Sequence, residues 1–303
     1  MGTPDFAVPT LQTLVNNGQE VVAVVTAPDK PAGRGKKMQA SAVKEYALSR
    51  NIPILQPEKL KDDDFIDVLR SFQADLQVVV AFRMLPEVVW AMPTLGTINL
   101  HASLLPQYRG AAPINWAIMN GETQTGLTTF FIEQEIDTGK IIFQEKMPIH
   151  PEDNAGTLHD RMCIAGADLV LKTVKAIAQR EYPQIEQSFE PTLRPAPKIF
   201  KETCQIDWNK SSEEIHNQVR GLSPYPGAWT LLNGLHCKIY KTQIIDNQIL
   251  SGESFAQQTT WLTDHKKYLC AKTQNGYIAI EELQIEGKKR INIREWLAGN
   301  KIF

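Results

Sequence analysis

Three polar residues, two of them on one predicted strand, have the types and spacing for chemistry on an acyl group. Asn99 and His101 are two positions apart at the end of a predicted strand, where alternate side chains point to the same face. An Asn amide can donate a hydrogen bond to a developing oxyanion, and an imidazole can move protons near neutral pH. Asp137, in a turn between two predicted strands, is the best candidate for a group that orients the imidazole. The other interpretation is a satisfied core histidine and an ordinary loop aspartate.

A basic, glycine-rich loop is the second feature with a chemical use. The segment Asp29–Lys37 follows a predicted strand and contains four basic residues, two glycines and a proline. It lacks the Gly-Lys-Ser/Thr ending of a nucleotide phosphate loop. A flexible basic loop can instead bind the phosphates of a nucleic-acid backbone, and its other interpretation is a solvated turn.

Several other chemistries lack the motifs that they need. Ser103 is not surrounded by the Gly-x-Ser-x-Gly turn of a hydrolase nucleophile, and no Gly-x-Gly-x-x-Gly follows a strand as in a dinucleotide-dependent dehydrogenase. The cysteines lack Cys-x-x-Cys spacing, which argues against a zinc site or a disulfide framework. We therefore expect reduced, structural thiols and no metal; the cysteines are Cys163, Cys204, Cys237 and Cys270.

The composition is that of an ordinary folded protein. Hydrophobic residues make up 43% and charged residues 22%, close to globular averages. The 32 basic and 34 acidic residues leave a net charge of -2, so a polyanion would have to be bound by a local patch. The longest uncharged stretch, Val88–Tyr108, is interrupted by prolines, a glycine and a histidine, which argues against a membrane span. No secretory signal opens the sequence, so a cytoplasmic location is the default expectation.

Alternating strands and helices must position the polar residues. In the first two-thirds of the chain, short apolar runs alternate with amphipathic segments, which predicts a mainly parallel α/β sheet. The runs Leu76–Phe82 and Gly96–Leu100 predict neighbouring strands, at whose ends open sheets bind ligands. The 303 residues predict a doubly wound α/β domain over 1–190, a proline-containing linker over 191–206 and a small C-terminal β-barrel over 207–303.

The first residues predict the start of a helix. Thr3 is a good N-cap, and Pro4 suits the first helical turn. A crossover unit should have a strand before this helix, and the loss of that strand would expose sheet edges. We therefore expect Met1 to lie a few residues inside a longer natural chain.

A set of segments in a fixed order resembles a known family. The segments are Gly2–Ala7, Pro31–Lys37, Ser103–Ile114, Ile136–Gly139, Ile206–Trp208 and Pro224–Pro226. In this order they are similar to the methionyl-tRNA formyltransferase family, which belongs to the wider group of enzymes that use 10-formyltetrahydrofolate. The resemblance is weaker in the final barrel. It implies a Rossmann-like catalytic domain followed by an OB-like β-barrel that binds tRNA.

The resemblance implies a donor, an acceptor and catalytic residues. A formyl group would pass from 10-formyltetrahydrofolate to the amino group of methionine on initiator methionyl-tRNA, with Asn99, His101 and Asp137 as the catalytic residues. The neutral amine would attack the formyl carbon while Asn99 donates to the tetrahedral oxyanion, and Asp137 would tune His101 and help to relay the amine proton. We expect no covalent enzyme intermediate, no metal and no protein partner.

The resemblance also implies binding residues. The folate pterin would be held largely by backbone groups in two loops, Phe82–Leu85 after the strand that ends at Ala81 and Glu133–Ile136 before Asp137. The segment Phe82–Pro86 is one residue shorter than the commoner family form and lacks its glycine. For the tRNA, Arg34 would reach the acceptor end, and Lys36 and Lys37 would contact phosphates. The implied folate-binding residues are Phe82, Arg83, Met84, Leu85, Ser103, Leu104, Leu105, Pro106 and Ile136.

Two other functions stay open from the sequence. A formyltransferase that acts on a small amine acceptor, such as an amino-sugar nucleotide, would use the same three catalytic residues but would not need the basic loop. A non-catalytic RNA-binding relative would need the basic surface but not the catalytic residues.

Overall fold

Two compact units make up the chain. The computed structural model describes residues 1–32, 37–188, 192–245, 256–258 and 260–300, with only the backbone at 32, 37, 257 and 258. The first unit comprises Met1–Gly110, Thr125–Pro148 and His159–Pro195. The second unit comprises Ala111–Gln124, Ile149–Leu158 and Ala196–Phe303.

Helices and strands alternate in the first part of the chain, and strands dominate the last part. The helices are α1 Val8–Asn16, α2 Ala42–Ser49, α3 Asp63–Ser71, α4 Glu87–Trp90, α5 Pro113–Met119, α6 Ala155–Gln179, α7 Ser212–Leu222 and α8 Ile293–Gly299. The strands are β1 Val24–Val25, β2 Lys30–Ala32, β3 Lys37–Gln39, β4 Ile54–Leu55, β5 Gln77–Val80, β6 Thr97–His101, β7 Gln124–Phe131, β8 Ile141–Pro148, β9 Ala228–Leu232, β10 Leu235–Ile245, β11 Ala256–Gln258, β12 Trp261–Thr263, β13 Leu269–Lys272, β14 Tyr277–Ile285 and β15 Ile291–Asn292. Across the residues that the structure describes, no helix combines the length and apolar character that a membrane span requires.

A mainly parallel sheet forms the first unit. β1 is parallel to β4, and β5 is parallel to β6. Met1 and Gly2 lie between these two pairs: the Gly2 amide donates to the Val25 carbonyl at 3.0 Å, and the Val80 amide donates to the Met1 carbonyl at 2.9 Å. β7 is antiparallel to β6, and β8 follows β7 in the sheet. The predicted α/β fold is confirmed.

Apolar side chains on the inner strands explain why this sheet forms. Three of the four residues of β5 are valine, a β-branched residue that suits a buried strand. Val79 of β5 packs in a cluster with Phe65 of α3. Ile98 of β6 packs in a separate cluster with Ile142 of β8. These clusters fix β5 and β6, so the polar side chains at the end of β6 project from a rigid strand.

The chain does not open with an α-helix that is capped by Thr3. Asp5–Ala7 form a 3-10 turn, and α1 begins only at Val8. The Thr3 hydroxyl instead accepts the Ala27 amide at 3.3 Å. The predicted cap is therefore wrong, because Thr3 contacts the segment that follows β1. The longer natural chain stays a prediction.

A curled antiparallel sheet forms most of the second unit. Its strands follow the order β11-β12-β13-β14-β10-β9, and β15 pairs with β14. Two register shifts around Lys241 interrupt the pairing of β10 with β14, and such irregularities bend a strand. Ser211 and Glu214 form a capping box at the start of α7, which buries Ile215 in the core of this unit. The predicted C-terminal barrel is observed as this curled sheet.

The four cysteines are free and buried in the structure. Burial raises the pKa of both Cys237 and Cys270 to about 12. A thiol with such a pKa stays protonated at neutral pH and is a poor nucleophile. The prediction of structural thiols is confirmed.

Candidate active site

Strand β6 presents Asn99 and His101 on one face. β6 is held on both sides, because Asn99 is paired with Val79 of β5 and with Phe130 of β7. His101 is buried, whereas Asn99 is half-buried. Within the described part of the chain, the Asn99 side chain has no hydrogen-bond partner. Its amide is therefore available to a ligand at the end of β6.

The backbone carbonyl of Tyr108 orients the imidazole of His101. His101 Nε2 lies 2.9 Å from this carbonyl oxygen. Because a carbonyl oxygen only accepts hydrogen bonds, Nε2 carries the hydrogen, and Nδ1 is the unprotonated nitrogen of the neutral ring. Tyr108 reaches this position with a φ of 59°, in the left-handed region. Nδ1 is thus the ring atom that can accept a proton.

The turn between β7 and β8 brings Asp137 to the same histidine. Asp137 Oδ2 lies 3.7 Å from His101 Nδ1 and accepts the Gly110 amide at 2.9 Å. The Asp137 side chain is only 12% exposed. A separation of 3.7 Å is longer than a direct hydrogen bond, but the carboxylate attracts Nδ1 once that atom is protonated. The structure therefore places Asp137 next to His101, and His101 next to Asn99 on the same strand.

Close backbone contact restricts the turn that carries Asp137. A Cβ at Gly139 would lie far inside the contact distance of the Phe131 carbonyl oxygen and 2.9 Å from its carbon. Asp137 itself has a φ of 56°, a left-handed conformation that strains most residues other than glycine. Glycine at position 139 lets the chain leave the turn directly against the end of β7.

The loop after β6 is held by buried polar contacts. Thr128 Oγ1 donates to the Ser103 carbonyl at 2.7 Å and accepts the Leu105 amide at 3.1 Å. The side chains of Ser103 and Leu105 are buried, while Leu104 and Pro106 are half-buried. The buried side chains support the loop, so direct folate contacts of this segment, which stay a prediction, would come from its backbone and from the half-buried side chains.

The predicted pterin loop after β5 packs against the residue that leads into the second predicted loop, Glu133–Ile136. Phe82 and Leu85, after β5, pack in the same cluster as Ile132, which follows β7. Nearby in sequence, Met84 is 66% exposed and Ile136 is 60% exposed. These apolar side chains are chemically compatible with a flat heteroaromatic ring. Pterin contacts of Met84 and Ile136 stay predictions.

The Arg83 side chain is engaged in the fold. Its guanidinium donates to the Glu58 carbonyl at 2.8 Å and to the carbonyl of Pro57, and it lies over the Phe82 ring. These contacts fix the shortened loop after β5 to the segment after β4. A contact between Arg83 and folate stays a prediction.

The basic segment Asp29–Lys37 includes strand β2 and the first residue of β3. β2 and β3 are antiparallel, and Lys30 is paired with Gln39. Arg34 and Lys36 lie outside the described residues, as does the side chain of Lys37. Their contacts with tRNA stay predictions.

Sequence reasoning did not single out several groups that surround the site. The Tyr108 carbonyl and the Gly110 amide belong to the segment that carried the family resemblance, but backbone groups leave no signal in residue type. Gln187, whose amide contacts the Asp137 turn, lies in a segment without periodicity or motif. A buried glutamine is unusual enough to be noticed in a structure, but its burial cannot be predicted from its neighbours.

Family comparisons agree along the whole chain. Residues 1–174 match the formyl transferase family, and residues 198–301 match the formyl transferase C-terminal domain. The methionyl-tRNA formyltransferase of Bacteroides thetaiotaomicron is 53% identical over 305 residues, covering 100% of this chain and 95% of that protein. The methionyl-tRNA formyltransferase of Flavobacterium johnsoniae is 50% identical over 303 residues, covering 99% of this chain and 94% of that protein.

Solved structures share the fold at low sequence identity. The sugar 3N-formyl transferase WlaRD, crystallised in the presence of dTDP and 5-N-formyl-THF, has a TM-score of 0.67 and 22% identity, covering 95% of this chain and 97% of that one. HypX from Aquifex aeolicus, in complex with tetrahydrofolic acid, has a TM-score of 0.59 and 18% identity, covering 83% of this chain and 43% of that one. The resemblance that the sequence motifs carry is confirmed. The chain therefore belongs to the formyl transferase family, in which its relatives of 50 to 53% identity are methionyl-tRNA formyltransferases.

Proposed function

We propose that this protein transfers the formyl group of 10-formyltetrahydrofolate to the amino group of methionine on initiator methionyl-tRNA. The observation that carries the proposal is the 3.7 Å approach of Asp137 to His101, which lies two residues after Asn99 on β6. Full-length relatives at 50 to 53% identity that are methionyl-tRNA formyltransferases support the choice of acceptor. The product, N-formylmethionyl-tRNA, serves translation initiation, so the proposed location is the cytoplasm.

In the proposed mechanism, His101 Nδ1 accepts the proton that the methionyl amine loses as its nitrogen bonds to the formyl carbon. The carbonyl oxygen gains negative charge, and the Asn99 amide donates a hydrogen bond to it. Asp137 Oδ2, 3.7 Å from Nδ1, stabilises the imidazolium that forms. His101 then returns the proton to the nitrogen that leaves with the folate as the carbon–nitrogen bond of the donor breaks.

The proposed binding residues form two groups, one for the folate and one for the tRNA. The pterin is assigned to the loop Phe82–Leu85, to the segment Ser103–Pro106 and to Ile136. The acceptor end of the tRNA is assigned to Arg34, and its phosphates to Lys36 and Lys37. The proposed division of the chain keeps 1–190 as the catalytic domain, 191–206 as a linker and 207–303 as a tRNA-binding domain.

A formylation assay with purified protein tests the reaction. Methionyl-initiator-tRNA, uncharged tRNA and an amino-sugar nucleotide are each offered with 10-formyltetrahydrofolate. We expect product only with the methionyl-tRNA, and none with a His101→Ala variant. Formylation of the sugar nucleotide alone would assign a small acceptor, and the absence of any product from folded protein would contradict the proposal.

Removal of the Asn99 amide tests its role as the oxyanion donor. We expect Asn99→Ala to lower the single-turnover rate by about 10²- to 10³-fold, as for other oxyanion donors. Asn16→Ala, at an exposed position in α1, is the matched control and should keep the normal rate. A near-normal rate in Asn99→Ala would remove this residue from the mechanism.

Neutralisation of the basic loop tests the tRNA assignment. Replacing Lys36 and Lys37 by alanine removes two cations, which should weaken tRNA binding and flatten its dependence on salt concentration. Single-turnover chemistry on bound substrate should stay similar. Filter binding across a series of salt concentrations measures the slope, and an unchanged slope would exclude the loop from the tRNA contact surface.

A further inference from the structure

A buried glutamine lies behind the turn that carries Asp137. Gln187 is 6% exposed and belongs to a segment without helix or strand. Ile185, two residues earlier, forms an isolated bridge with Ile141 at the start of β8, with backbone hydrogen bonds of 2.8 and 2.9 Å. This bridge holds the segment against the sheet and so delivers the Gln187 side chain to the turn.

Both the nitrogen and the oxygen of the Gln187 side-chain amide form hydrogen bonds. Its Nε2 donates to the Asp137 carbonyl at 2.9 Å and to the Gly139 carbonyl at 2.8 Å. Its Oε1 accepts Arg109 Nε at 3.1 Å and Arg109 Nη2 at 2.6 Å. Only this orientation of the amide is consistent with its neighbours, because carbonyls cannot donate and a guanidinium cannot accept. One side chain therefore spans the turn on both sides of Thr138.

Arg109 strengthens the same contact. Its Nε also donates to the Asp137 carbonyl, at 3.0 Å. Burial lowers the pKa of Arg109, while the nearby Asp137 and Glu135 carboxylates act in the opposite direction. The guanidinium stays charged, and hydrogen bonds from a charged group are stronger than those between neutral groups. Asp137 thus receives two side-chain donors on its backbone carbonyl and the Gly110 amide on its carboxylate.

The Asp137 backbone is in the left-handed region, with a φ of 56°. Aspartate adopts this conformation more readily than most non-glycine residues, so the hydrogen bonds around the turn are what fix its position. Without the Gln187 amide, the carbonyls of Asp137 and Gly139 would lose a donor that reaches both of them. The Asp137 carboxylate would then be held relative to His101 Nδ1 only by the Arg109 and Gly110 contacts, and less tightly, because side-chain direction follows the backbone.

We propose that Gln187 is a positioning residue for formyl transfer: its amide fixes the Asp137 turn so that the carboxylate faces His101 Nδ1. This inference rests on the proposed function. Gln187 touches no reacting atom in the proposed mechanism and acts through Asp137. Its loss should therefore slow the chemical step and change its pH dependence, and leave substrate binding nearly unchanged.

Two substitutions separate positioning from simple packing. Gln187→Leu keeps the approximate size of the side chain and removes every polar contact. Gln187→Glu keeps the shape and can pair with Arg109, so it is expected to fold, but the ionised carboxylate has no hydrogen to donate to the two carbonyls. Gln184→Leu is the matched control, since Gln184 is an exposed glutamine of the same segment.

The experiment measures single-turnover formylation, KM for both substrates and the pH–rate profile, with rates expressed per folded protein from circular dichroism. We expect both Gln187 variants to lose about 10- to 100-fold in rate, the loss expected of a catalytic group displaced by up to about 1 Å. KM should stay within about twofold, and the pH–rate profile should differ from that of the unmodified protein. If Gln187→Leu does not fold, the rate and pH profile of Gln187→Glu alone test the inference.

Rates and pH profiles of the folded Gln187 variants that equal those of Gln184→Leu would overturn the inference. So would a loss of rate that leaves the pH profile unchanged, since that result indicates packing alone. Failure of the proposed function looks different, because the unmodified protein and Gln184→Leu would then also produce no formylmethionyl-tRNA.

Discussion

Substitution of Gly139 by alanine tests whether the tight turn after β7 is needed for catalysis. The added Cβ would lie 2.9 Å from the carbonyl carbon of Phe131 and closer still to its oxygen. The carbonyl carbon would have to move by about 0.5 Å to reach the 3.4 Å of an ordinary contact, and the oxygen would have to move further. β7 is paired on both sides in its sheet, so the turn is the part that yields.

Movement of this turn has two expected effects. Overpacking of this kind typically destabilises a protein by about 1 to 3 kcal/mol. For a unit of this size, that corresponds to a melting temperature lowered by about 2 to 12 °C. The displaced Gly139 carbonyl would also lose its 2.8 Å contact with Gln187, and Asp137 would move with it. A shift of up to about 1 Å in a catalytic group can lower the rate by about 100-fold.

Differential scanning fluorimetry and single-turnover formylation measure the two effects on one preparation. The matched control is Gly299→Ala, because a Cβ at Gly299 meets no atom within 4 Å among the residues up to 300 that the structure describes. We expect the control to keep the melting temperature and the rate of the unmodified protein. A Gly139→Ala protein that melts normally and formylates at the normal rate would refute the reasoning, because it would mean that the turn relaxes without moving Asp137.

Two further predictions follow from burial in the described residues. Burial and the Arg220 guanidinium lower the pKa of His216 in the folded protein below its ordinary value of 6.5. Below pH 6.5 the unfolded chain therefore binds a proton at this residue more readily than the folded protein does. The free energy of unfolding should fall as the pH drops below that value. Urea unfolding between about pH 8 and pH 5.5 should show a smaller fall in His216→Asn, and equal falls in both proteins would contradict this assignment. Burial raises the pKa of Cys163, like those of Cys237 and Cys270, to about 12. Iodoacetamide should therefore alkylate these thiols slowly in the native protein and rapidly in urea, and rapid native labelling by intact mass would show that they are accessible thiolates.

The parts of the site that follow a local rule could be predicted from sequence. Asn99 and His101 face the same way because side chains alternate along any strand, and the turn around Asp137 is marked by its residue types. The 3.7 Å approach of Asp137 to His101 depends on how β6 and the β7–β8 turn meet, which no local pattern encodes. Gln187 lies 50 residues after Asp137 in the sequence, so its contact with Asp137 is also a tertiary contact that no local pattern predicts.

Competition between local and tertiary contacts explains the wrong prediction at Thr3. Its residue type favours a helix cap, but in the fold its hydroxyl accepts the Ala27 amide instead. The start of α1 then shifts to Val8. Sequence periodicity identifies the helix itself because its apolar face is buried, whereas a single hydroxyl can satisfy several nearby donors with similar energy.

The contact that orients the His101 ring comes from the peptide backbone at Tyr108, and this affects how the site responds to genetic change. Every amino acid carries a carbonyl, so no codon change at position 108 deletes this acceptor. An alanine scan would therefore underestimate what holds the imidazole. Chemical synthesis can alter this carbonyl. An ester in place of the amide that follows Tyr108 weakens the carbonyl as an acceptor while every side chain stays the same. Loss of activity in such a semisynthetic protein would reveal a determinant that mutagenesis cannot detect.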